Sequence, residues 1–357
     1  MQAWVLHGIN DIKYEEVEKP KLQPNEVLVQ VHAAGVCGSD IPRIYETGAH
    51  RHPLIPGHEY AGEVVEQGDD VKGDYRGKAV GIFPLIPCKE CIACKNRKYE
   101  MCRNYNYLGS RRDGGFAEFV AVPEWNLITL PSNVSYLAAA MMEPMAVATH
   151  AMRRVKPKED ENIVICGLGT IGLLLLMILK AGFEKTGNVD NFLSHIYIIG
   201  NKDFQKNQAL KLGVSPSHYY DAKDGKVEDW ILDVTNGIGA DVLFECVGKN
   251  ETICQMINVA APAGRICLVG NPYSDMTFDK NTYWKILRSQ LYITGTWNSS
   301  FDHDKKDDWN YVLNLLKEGY LKPEEMISHK LSLAELEKGL HIMRDKSEDY
   351  VKIMVEM

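Results

Sequence analysis

The sequence predicts an α/β fold, in which a doubly wound parallel sheet is joined to a second, β-rich domain. A chain of 357 residues exceeds the length of one typical domain. Residues 1 to about 150 carry short β-branched runs that end at turn residues, which is typical of a barrel-like all-β region. From about residue 151 onward, strand-like runs alternate with helical patterns, which predicts a parallel sheet.

The composition describes an ordinary globular protein and excludes some classes of function. Hydrophobic residues make up 45% and charged residues 25% of the chain, with a formal net charge of −8 and a pI near 5.8. Such a chain has no global positive field for nucleic acid or an anionic membrane. The N-terminus lacks the pattern of a secretory signal, and the longest apolar stretch, 171–179, is too short for a membrane span. A cytoplasmic location is therefore expected, where clustered cysteines are more often metal ligands than disulfides.

The individual elements follow the same division. In the first part the strand-like runs are EVLVQVHAAG (26–35), YAGEVVEQG (60–68), KAVGIF (78–83) and FAEFVAV (116–122). In the second part they are NIVICG (162–167), HIYIIG (195–200), DVLFECVG (241–248), RICLVG (265–270) and LYITGTW (291–297). Helices are predicted at 172–182, 206–213, 254–264, 307–319 and 333–345, followed by a strand at 350–357. The segment 183–195 looks like an insertion.

A glycine motif follows the first strand of the parallel sheet. Gly167, Gly169 and Gly172 form G-x-G-x-x-G between the apolar run NIVIC and a helical pattern. This strand–turn–helix context is the one that a dinucleotide-binding motif requires, with the pyrophosphate at the helix N-terminus. The predicted cofactor-binding residues are Gly167, Gly169, Thr170, Ile171, Gly172, Asn201, Lys202, Val247 and Gly270.

The residues after the second parallel strand bear on the choice of nucleotide. This strand ends at Gly200, where an Asp or Glu usually holds the ribose 2′-hydroxyl. Asn201 and Lys202 follow, and a cation there suits a 2′-phosphate, which favours NADP slightly over NAD. Asp203 could reach the ribose instead, so that NAD remains an alternative, as does a solvated Lys202.

Four cysteines lie within CKECIACKNRKYEMC (88–102), at the spacing C-x2-C-x2-C-x7-C. Four thiolates close the tetrahedral coordination of Zn²⁺ and leave no position for water or substrate. Cys88, Cys91, Cys94 and Cys102 therefore predict a structural zinc. A catalytic zinc needs three protein ligands and an open position, and its candidates, near Cys37, His58 and Glu143, are individually weak because lone residues of these types are often structural.

The motifs occur together in an order that resembles a known family. These motifs are GVCGSD (35–40), GHEYAGEVVEQG (57–68), the four-cysteine loop, DGGFAEF (113–119), EPMAVATHA (143–151) and GLGTIG (167–172). By this resemblance the chain is identified as a member of the zinc-dependent medium-chain dehydrogenase family, in its polyol dehydrogenase branch. The elements CGSDIPRIYETGAH (37–50), YLGSRRDGGFAEF (107–119) and GTWNSSF (295–301) are similar to bacterial dehydrogenases of galactitol 1-phosphate.

The resemblance implies a fold and roles for named residues. It implies a GroES-like catalytic β-barrel domain at 1–147, completed by about 298–357, and a Rossmann nucleotide-binding domain at 148–297. It also implies two Zn per chain and a homodimer or homotetramer. The implied ligands of the catalytic zinc are Cys37, His58 and Glu143, with Glu59 beside the metal, Asp40 orienting His58, and Ser39 relaying the alcohol proton.

The implied function is hydride transfer between a polyol phosphate and NAD(P), most specifically the oxidation of galactitol 1-phosphate to tagatose 6-phosphate. A substrate phosphate needs an anion site, and guanidinium groups match phosphate oxygens. The candidates are Arg43, His50, Arg111 and Arg112; the alternative for the Arg pair is a solvated loop or an ion pair with Asp113. Two other functions stay open. One is a dehydrogenase of an unphosphorylated polyol such as sorbitol, or of another secondary alcohol, and the other is a catalytically silent nucleotide-binding relative.

Overall fold

The computed structural model describes residues 1–357, which divide into two compact units. Unit 1 comprises Met1–Pro144 and Ser300–Met357, and unit 2 comprises Met145–Ser299. No helix combines the length and the apolar character that crossing a bilayer requires.

Unit 1 is built around a seven-stranded sheet. Its strands are β1 (Gln2–Gly8), β2 (Asp11–Glu16), β3 (Glu26–Val36), β4 (Glu59–Gln67), β5 (Ala79–Ile82), β6 (Leu85–Ile86), β7 (Asn106–Tyr107), β8 (Phe119–Pro123), β9 (Leu127–Thr129), β16 (Ile327–Ser332) and β17 (Lys352–Glu356). The order in the sheet is β16-β17-β3-β4-β5-β9, with β8 also paired to β3. The late strand β17 therefore lies directly beside the early strand β3, to which it is antiparallel.

Most helices of unit 1 are short, and two of them begin at polar caps. They are α1 (Asp40–Tyr45), α2 (Ile92–Lys95), α3 (Tyr136–Ala140), α4 (Met142–Val155, which runs into unit 2), α11 (Asp308–Lys317) and α12 (Leu336–Asp345). The Ser135 side chain caps α3 and the Asp307 side chain caps α11, because each accepts a hydrogen bond from a backbone N–H of the first turn. Trp309 in α11 is fully buried and packs edge-on against Phe83.

Unit 2 is a doubly wound parallel sheet. Its strands are β10 (Ile163–Cys166), β11 (Ile196–Gly200), β12 (Tyr219–Asp221), β13 (Ala240–Glu245), β14 (Ala260–Leu268) and β15 (Tyr292–Gly295). The order is β12-β11-β10-β13-β14-β15 and every pairing is parallel. The helices are α5 (Thr170–Thr186), α6 (Val189–Ser194), α7 (Asp203–Lys211), α8 (Val227–Val234), α9 (Asn250–Asn258) and α10 (Lys280–Arg288). This is the strand order of a Rossmann fold.

One predicted helix is wrong in its second half. The helix expected at 254–264 ends at Asn258, and strand β14 begins at Ala260. The apolar run there belongs to a buried strand, and Pro262 is accommodated because the pairing of β13 with β14 shifts register between Ala240 and Val242. A bulge of this kind absorbs a proline and a residue of positive φ, here Ala263 at +60°.

The segment 183–195 has regular structure. Helix α5 continues through Gly182 to Thr186 and ends at Gly187, which adopts the left-handed conformation at φ +80°. Helix α6 then packs on the end of α5, where the rings of Phe183 and Phe192 stack at 4.8 Å. The extra residues thus form one additional helical turn and a short helix rather than an irregular loop.

Candidate active site and metal centres

Three side chains with metal-binding atoms converge where the central strands of unit 1 meet. Gly35, near the end of β3, lies opposite Glu59 at the start of β4. This register brings Cys37, which follows β3, beside His58, which precedes β4. The ligand atoms of Cys37, His58 and Glu59 all lie within 4.8 Å of one another. Thiolate, imidazole and carboxylate are the ligand types that zinc takes in proteins, so this group fits a zinc ion.

Asp40 holds the loop of Cys37 and faces the ring of His58. It is fully buried, and its carboxylate accepts hydrogen bonds from the Cys37 amide (3.1 Å) and the Arg43 guanidinium (2.7 Å). Asp40 Oδ1 also lies 3.4 Å from His58 Nδ1, which leaves Nε2 for a metal. Burial lowers the pKa of His58, but the negative charges of Asp40 and Cys37 outweigh it and raise the pKa well above its usual value. Surroundings that favour positive charge on the ring also favour a metal cation.

Glu143, the third expected ligand, lies beside this group in the first turn of α4. Its carboxylate accepts a hydrogen bond from the Tyr107 hydroxyl (3.2 Å). Burial raises the pKa of Glu143 to about 7; the positive charges of His58 and Lys352 oppose this shift and the negative charge of Glu59 adds to it. Two carboxylates therefore lie at the cluster, and Glu59 is the one with an oxygen within 4.8 Å of the ligand atoms of Cys37 and His58.

Ser39 lies at the accessible side of the same cluster. Its hydroxyl donates a hydrogen bond to the sulfur of Cys37 (3.4 Å), and the residue is partly exposed. A hydroxyl between a metal ligand and solvent is suited to pass a proton outward.

The four-cysteine loop brings its sulfur atoms together. The Sγ atoms of Cys91 and Cys94 are 3.6 Å apart, and the pairs Cys88–Cys94 and Cys91–Cys102 are 3.9 Å apart. Sulfurs about 2.3 Å from a tetrahedral zinc lie about 3.8 Å from each other. Backbone hydrogen bonds lower the pKa of Cys91 to about 6, whereas burial raises the pKa of Cys94 to about 12. The sulfur geometry fits a structural zinc.

The glycine motif of unit 2 lies at the carboxyl end of β10, where the strand order of the sheet reverses. Gly167 has φ +99°, and a Cβ there would lie 2.7 Å from the Val247 side chain. Gly169 caps α5, and Gly172 in its first turn packs against the carbonyl oxygen of Gly167, where a Cβ would collide. Thr170 begins the helix. Doubly wound sheets bind dinucleotides at this switch point, so the loop fits a pyrophosphate.

Val247 and Gly270 flank this loop on the neighbouring strands. Gly248 and Gly270 approach so closely that a Cβ on either would collide with the backbone of the other segment. The fully buried carboxylate of Glu245 accepts hydrogen bonds from the N–H groups of Val247 and Gly248 (2.9 Å each) and from the Thr252 hydroxyl (2.8 Å). Glu245 therefore fixes the turn that carries Val247.

The end of β11 carries no acid. β11 ends at Gly200, Asn201 and Lys202 follow, and α7 begins at Asp203 with Lys202 as its N-cap residue. A Cβ at Gly200 would lie 2.9 Å from the Leu168 side chain of the glycine loop. The Leu168 side chain thus fills the space beside Gly200.

Three of the four candidate phosphate-binding side chains lie together. Burial and then the positive charges of Arg111 and Arg43 lower the pKa of His50, so both guanidinium groups lie near its ring. The three side chains form one cationic cluster, whose positive charge comes from the two arginines. The Arg111 guanidinium lies over the ring of Tyr105, 4.5 Å from its centroid. Because Arg43 is bonded to Asp40, this cluster adjoins the site of Cys37, His58 and Glu59.

Arg112 is engaged elsewhere. Its guanidinium forms an ion pair with the buried carboxylate of Glu26, and it also donates to the Ala121 carbonyl at 3.5 Å. Asp113, considered as its partner, pairs instead with Arg51 at 2.7 Å. Arg112 is thus held by Glu26 and is not part of the cationic cluster.

Three residues of these sites were not identified from the sequence. Lys352 is a lysine inside the apolar run YVKIMVEM, Tyr107 opens the element YLGSRRDGG, and Glu245 is an acid within the apolar run DVLFECVG. For Lys352 and Glu245 the available signal is a charged residue inside an apolar run, where a buried apolar residue is expected. Tyr107 carries no such signal, and its contact with Glu143 is visible only in the structure.

Comparisons with known proteins agree with this geometry. The model of the alcohol dehydrogenase GroES-like domain matches residues 23–132, and the zinc-binding dehydrogenase model matches residues 190–318. Galactitol 1-phosphate 5-dehydrogenase of Escherichia coli K12 is 32% identical over 306 residues, which cover 86% of this chain and 85% of that protein. L-idonate 5-dehydrogenase of Vitis vinifera is 30% identical over 341 residues, which cover 94% of this chain and 88% of that protein.

Solved structures agree as well. The crystal structure of galactitol-1-phosphate dehydrogenase from Escherichia coli superposes with a TM-score of 0.89 at 28% identity, covering 100% of both chains. A zinc-binding dehydrogenase of Sinorhizobium meliloti bound to NADP gives a TM-score of 0.86 at 26% identity, with 100% and 99% of the two chains covered.

Proposed function

Since the chain belongs to the zinc-dependent medium-chain dehydrogenase family, whose members are oxidoreductases, we propose that it oxidises a secondary hydroxyl of galactitol 1-phosphate, forming tagatose 6-phosphate with reduction of NAD(P). The observation that carries the phosphorylated substrate is the cationic cluster of Arg43, His50 and Arg111 beside the metal-binding group. A phosphate on the substrate would bind there while the hydroxyl to be oxidised lies at the metal.

The residues of unit 1 have distinct roles in this reaction. When bound, zinc supplies a Lewis acid for the hydroxyl and the nicotinamide accepts the hydride. Cys37, His58 and Glu143 hold the metal, and Asp40 keeps the His58 ring in place. Ser39 Oγ takes the hydroxyl proton and passes it to solvent, because it is partly exposed and already bonded to Cys37. The four-cysteine zinc would be the second of two zinc ions per chain and would stabilise its loop.

A second candidate is an unphosphorylated polyol. It is favoured by the relatives named for such substrates, since L-idonate 5-dehydrogenase matches at 30% identity and a sorbitol dehydrogenase of Halalkalibacterium halodurans at 28%. The diversion of Arg112 to Glu26 also leaves fewer cations for a phosphate. The galactitol phosphate remains the first proposal because two guanidinium groups, those of Arg43 and Arg111, still adjoin the metal-binding group.

NADP is the proposed preferred nucleotide, by a small margin over NAD. The absence of an acid at Gly200 removes repulsion against a 2′-phosphate, and Lys202 adds a positive charge next to it. The Sinorhizobium meliloti relative was solved with NADP. Asn201 and Lys202 are the residues proposed to bind this end of the cofactor.

A homodimer is the proposed assembly. β15 is the edge strand of the sheet in unit 2, and its outer N–H and C=O groups have no partner strand. Tyr292 and Trp297, 68% and 59% exposed, accompany this edge, and Tyr283, Trp284 and Leu287 are exposed on α10. A second copy related by a twofold axis would pair β15 with itself and cover these side chains.

The proposal is tested by initial rates with galactitol 1-phosphate, galactitol, sorbitol and L-idonate, each with NAD and NADP. We expect the phosphate ester to have the highest kcat/KM. Arg111→Ala should raise the KM for the ester about 10- to 100-fold, because a hydrogen bond to a charged group is worth about 1.5–3 kcal/mol, and leave the KM for galactitol unchanged.

The matched control is Arg103→Ala, which removes an exposed guanidinium from the same segment of the chain and should alter neither KM. An unchanged KM for the ester in Arg111→Ala would contradict the phosphate site. Higher kcat/KM for an unphosphorylated polyol would favour the second candidate, and equal affinities for the two nucleotides would remove the preference for NADP.

A further inference from the structure

The Tyr107 hydroxyl lies beside the metal-binding group. Tyr107 belongs to β7, which pairs with β6. Its hydroxyl donates a hydrogen bond to Glu143 (3.2 Å), and its ring lies edge-on to the ring of His58, with the two centroids 5.9 Å apart. A polar hydroxyl is thus in contact with two residues that are proposed to hold the catalytic metal.

The charges around this hydroxyl come from the metal-binding group and from the cationic cluster. Burial raises the pKa of Tyr107 well above its usual value, the negative charges of Glu143 and Cys37 add to this shift, and the positive charge of Arg43 opposes it. Charges act strongly only over short distances, so the hydroxyl is near both Cys37 and Arg43. The residue is still partly exposed, so a small molecule can reach it.

The bond to Glu143 leaves the Tyr107 hydroxyl with capacity for a second partner. At 3.2 Å this bond is longer than the roughly 2.7 Å that is common between two oxygen atoms. A tyrosine hydroxyl donates one hydrogen bond and also accepts one. Because its proton is directed to Glu143, the Tyr107 oxygen can accept a hydrogen bond from a hydroxyl of the substrate.

The backbone that carries Tyr107 is packed closely against the segment of His58. The Tyr107 carbonyl oxygen accepts a hydrogen bond from the N–H of Arg111 (2.9 Å), which closes a tight turn. Within this turn, a Cβ on Gly109 would collide with the carbonyl oxygen of Gly57, the residue before His58. Backbone packing therefore fixes Tyr107 relative to the metal-binding group, in the same turn that carries an arginine of the cationic cluster.

We infer that the Tyr107 hydroxyl determines specificity by accepting a hydrogen bond from the substrate hydroxyl on the carbon next to the one that is oxidised. The substrate class is then a vicinal diol. The inference rests on the metal-bound secondary hydroxyl of the proposed function, but not on the substrate phosphate. In galactitol 1-phosphate, oxidised at C5, the hydroxyl in question is that of C4, because it lies on the side of the phosphate and Tyr107 is near Arg43.

The test combines two enzymes with two substrates: the parent and Tyr107→Phe, each with galactitol 1-phosphate and its 4-deoxy analogue. In the parent, loss of the C4 hydroxyl should lower kcat/KM at least threefold, as expected for one lost hydrogen bond. Tyr107→Phe should lower kcat/KM for galactitol 1-phosphate by a similar factor. It should change kcat/KM for the analogue less than twofold, because the analogue has no C4 hydroxyl to lose.

A merely structural role of Tyr107, exerted through Glu143, predicts a different pattern. Loss of the bond to Glu143 would slow both substrates equally and would lower the zinc content. We expect Tyr107→Phe to keep the zinc content of the parent, measured by elemental analysis. Tyr14→Phe is the matched control, because it removes the hydroxyl of a 39% exposed tyrosine on β2 of the same unit and should alter neither substrate.

Equal losses of kcat/KM on both substrates in Tyr107→Phe overturn the inference, as does a parent enzyme that oxidises the 4-deoxy analogue as well as galactitol 1-phosphate. If Tyr107→Phe loses zinc or does not fold, the comparison in the parent decides alone. Failure of galactitol 1-phosphate as a substrate contradicts only the proposed substrate, and the same measurements are then made with sorbitol, oxidised at C2, and its 3-deoxy analogue. An enzyme that oxidises neither polyol overturns the proposed function and the inference together.

Discussion

Glu245 is a buried carboxylate whose hydrogen bonds all serve one turn. It accepts from two consecutive backbone N–H groups and from the Thr252 hydroxyl, and it is fully enclosed. The turn carries Val247, whose side chain lies against the glycine loop. The Glu245 carboxylate, at the end of β13, thus fixes the position of Val247, which is proposed to contact the cofactor.

Replacing Glu245 by Gln should weaken nucleotide binding. The amide keeps the size of the side chain but presents an NH2 group where an oxygen accepts hydrogen bonds, and an unsatisfied buried group costs about 1–3 kcal/mol. We expect the Kd for the nucleotide, measured by quenching of protein fluorescence, to rise at least fivefold. Glu251→Gln on the exposed side of α9 is the control. A Kd equal to that of the parent would show that the turn is held by other contacts.

At the scale of residues, the sequence identified side chains by type and spacing but not by burial. The four cysteines could be proposed from their spacing, which is that of a zinc site. The group of Cys37, His58 and Glu143 could be proposed only from the resemblance to a family. Lys352 could not, because its partner Val36 is 316 residues away and no local pattern encodes that pairing. Arg112 has the guanidinium group expected of a phosphate-binding residue, and only the structure shows that this group forms an ion pair with Glu26.

The four-cysteine loop is an element with almost no core of its own. Between β6 and β7 it contains one short helix, α2, and several exposed basic residues. The folded conformation of this loop therefore depends on a metal ion bound by the four sulfur atoms. The loop is consequently the element of unit 1 whose folding is most sensitive to metal removal.

Cys94→Ser should unfold this loop locally. Serine is a poor zinc ligand, so zinc content is expected to fall from two ions to one per chain. Trypsin should then cleave at Lys95, Arg97 or Lys98 at least tenfold faster, as seen by the appearance of two fragments. Cys254→Ser, which lies outside both metal-binding groups, should change neither property. Retention of two zinc ions in Cys94→Ser would contradict the assignment of the cluster.

At the scale of elements, strands with continuous apolar runs were predicted well, and boundaries set by a single proline or glycine were not. β10 and β11 lie within the runs predicted for them, and β13 begins one residue before its predicted run. The first residues of β14 lie in the segment 254–264 predicted as a helix, because a short apolar run does not distinguish a helix from a strand. Gly182 suggested the end of α5, yet tertiary packing carries the helix past it.

The whole molecule has one exposed sheet edge that is rich in aromatic side chains. An edge of this kind on a protein of 40.2 kDa is a liability for a monomer, since open strands and large apolar patches promote association. The proposed twofold pairing of β15 removes both features at once.

Ile293→Lys should dissociate the proposed dimer. Ile293 lies in the middle of β15, where two copies of the new positive charge would face each other across the twofold axis. The mass from light scattering should fall from about twice 40.2 kDa to 40.2 kDa. Leu232→Lys on α8 is a matched control, because Leu232 and Ile293 are both 37% exposed. A monomeric parent protein, or a dimeric Ile293→Lys variant, would rule out this interface.

At the scale of the chain, the presence of two units could be predicted because the two parts of the sequence have different patterns. Short β-branched runs fill the first part, whereas strand-like runs alternate with helical patterns in the second. The placement of β17 between β16 and β3 could not be deduced from periodicity, since strand pairing over such separations leaves no local trace. The resemblance to a family, and not the pattern of residues, indicated that the C-terminal segment completes the first domain.

The pairing of β17 with β3 also sets the order in which a newly made chain can fold. At about 5–20 residues per second, Val36 is synthesised roughly 15 to 60 s before Lys352, 316 residues later. Unit 2 is continuous in sequence and can fold during this interval, whereas unit 1, begun first, is finished last. Until β17 is made, the end of β3 that pairs with it has unpaired N–H and C=O groups. Chaperones that cover exposed strands should therefore change the yield of folded enzyme more than the stability of the folded enzyme.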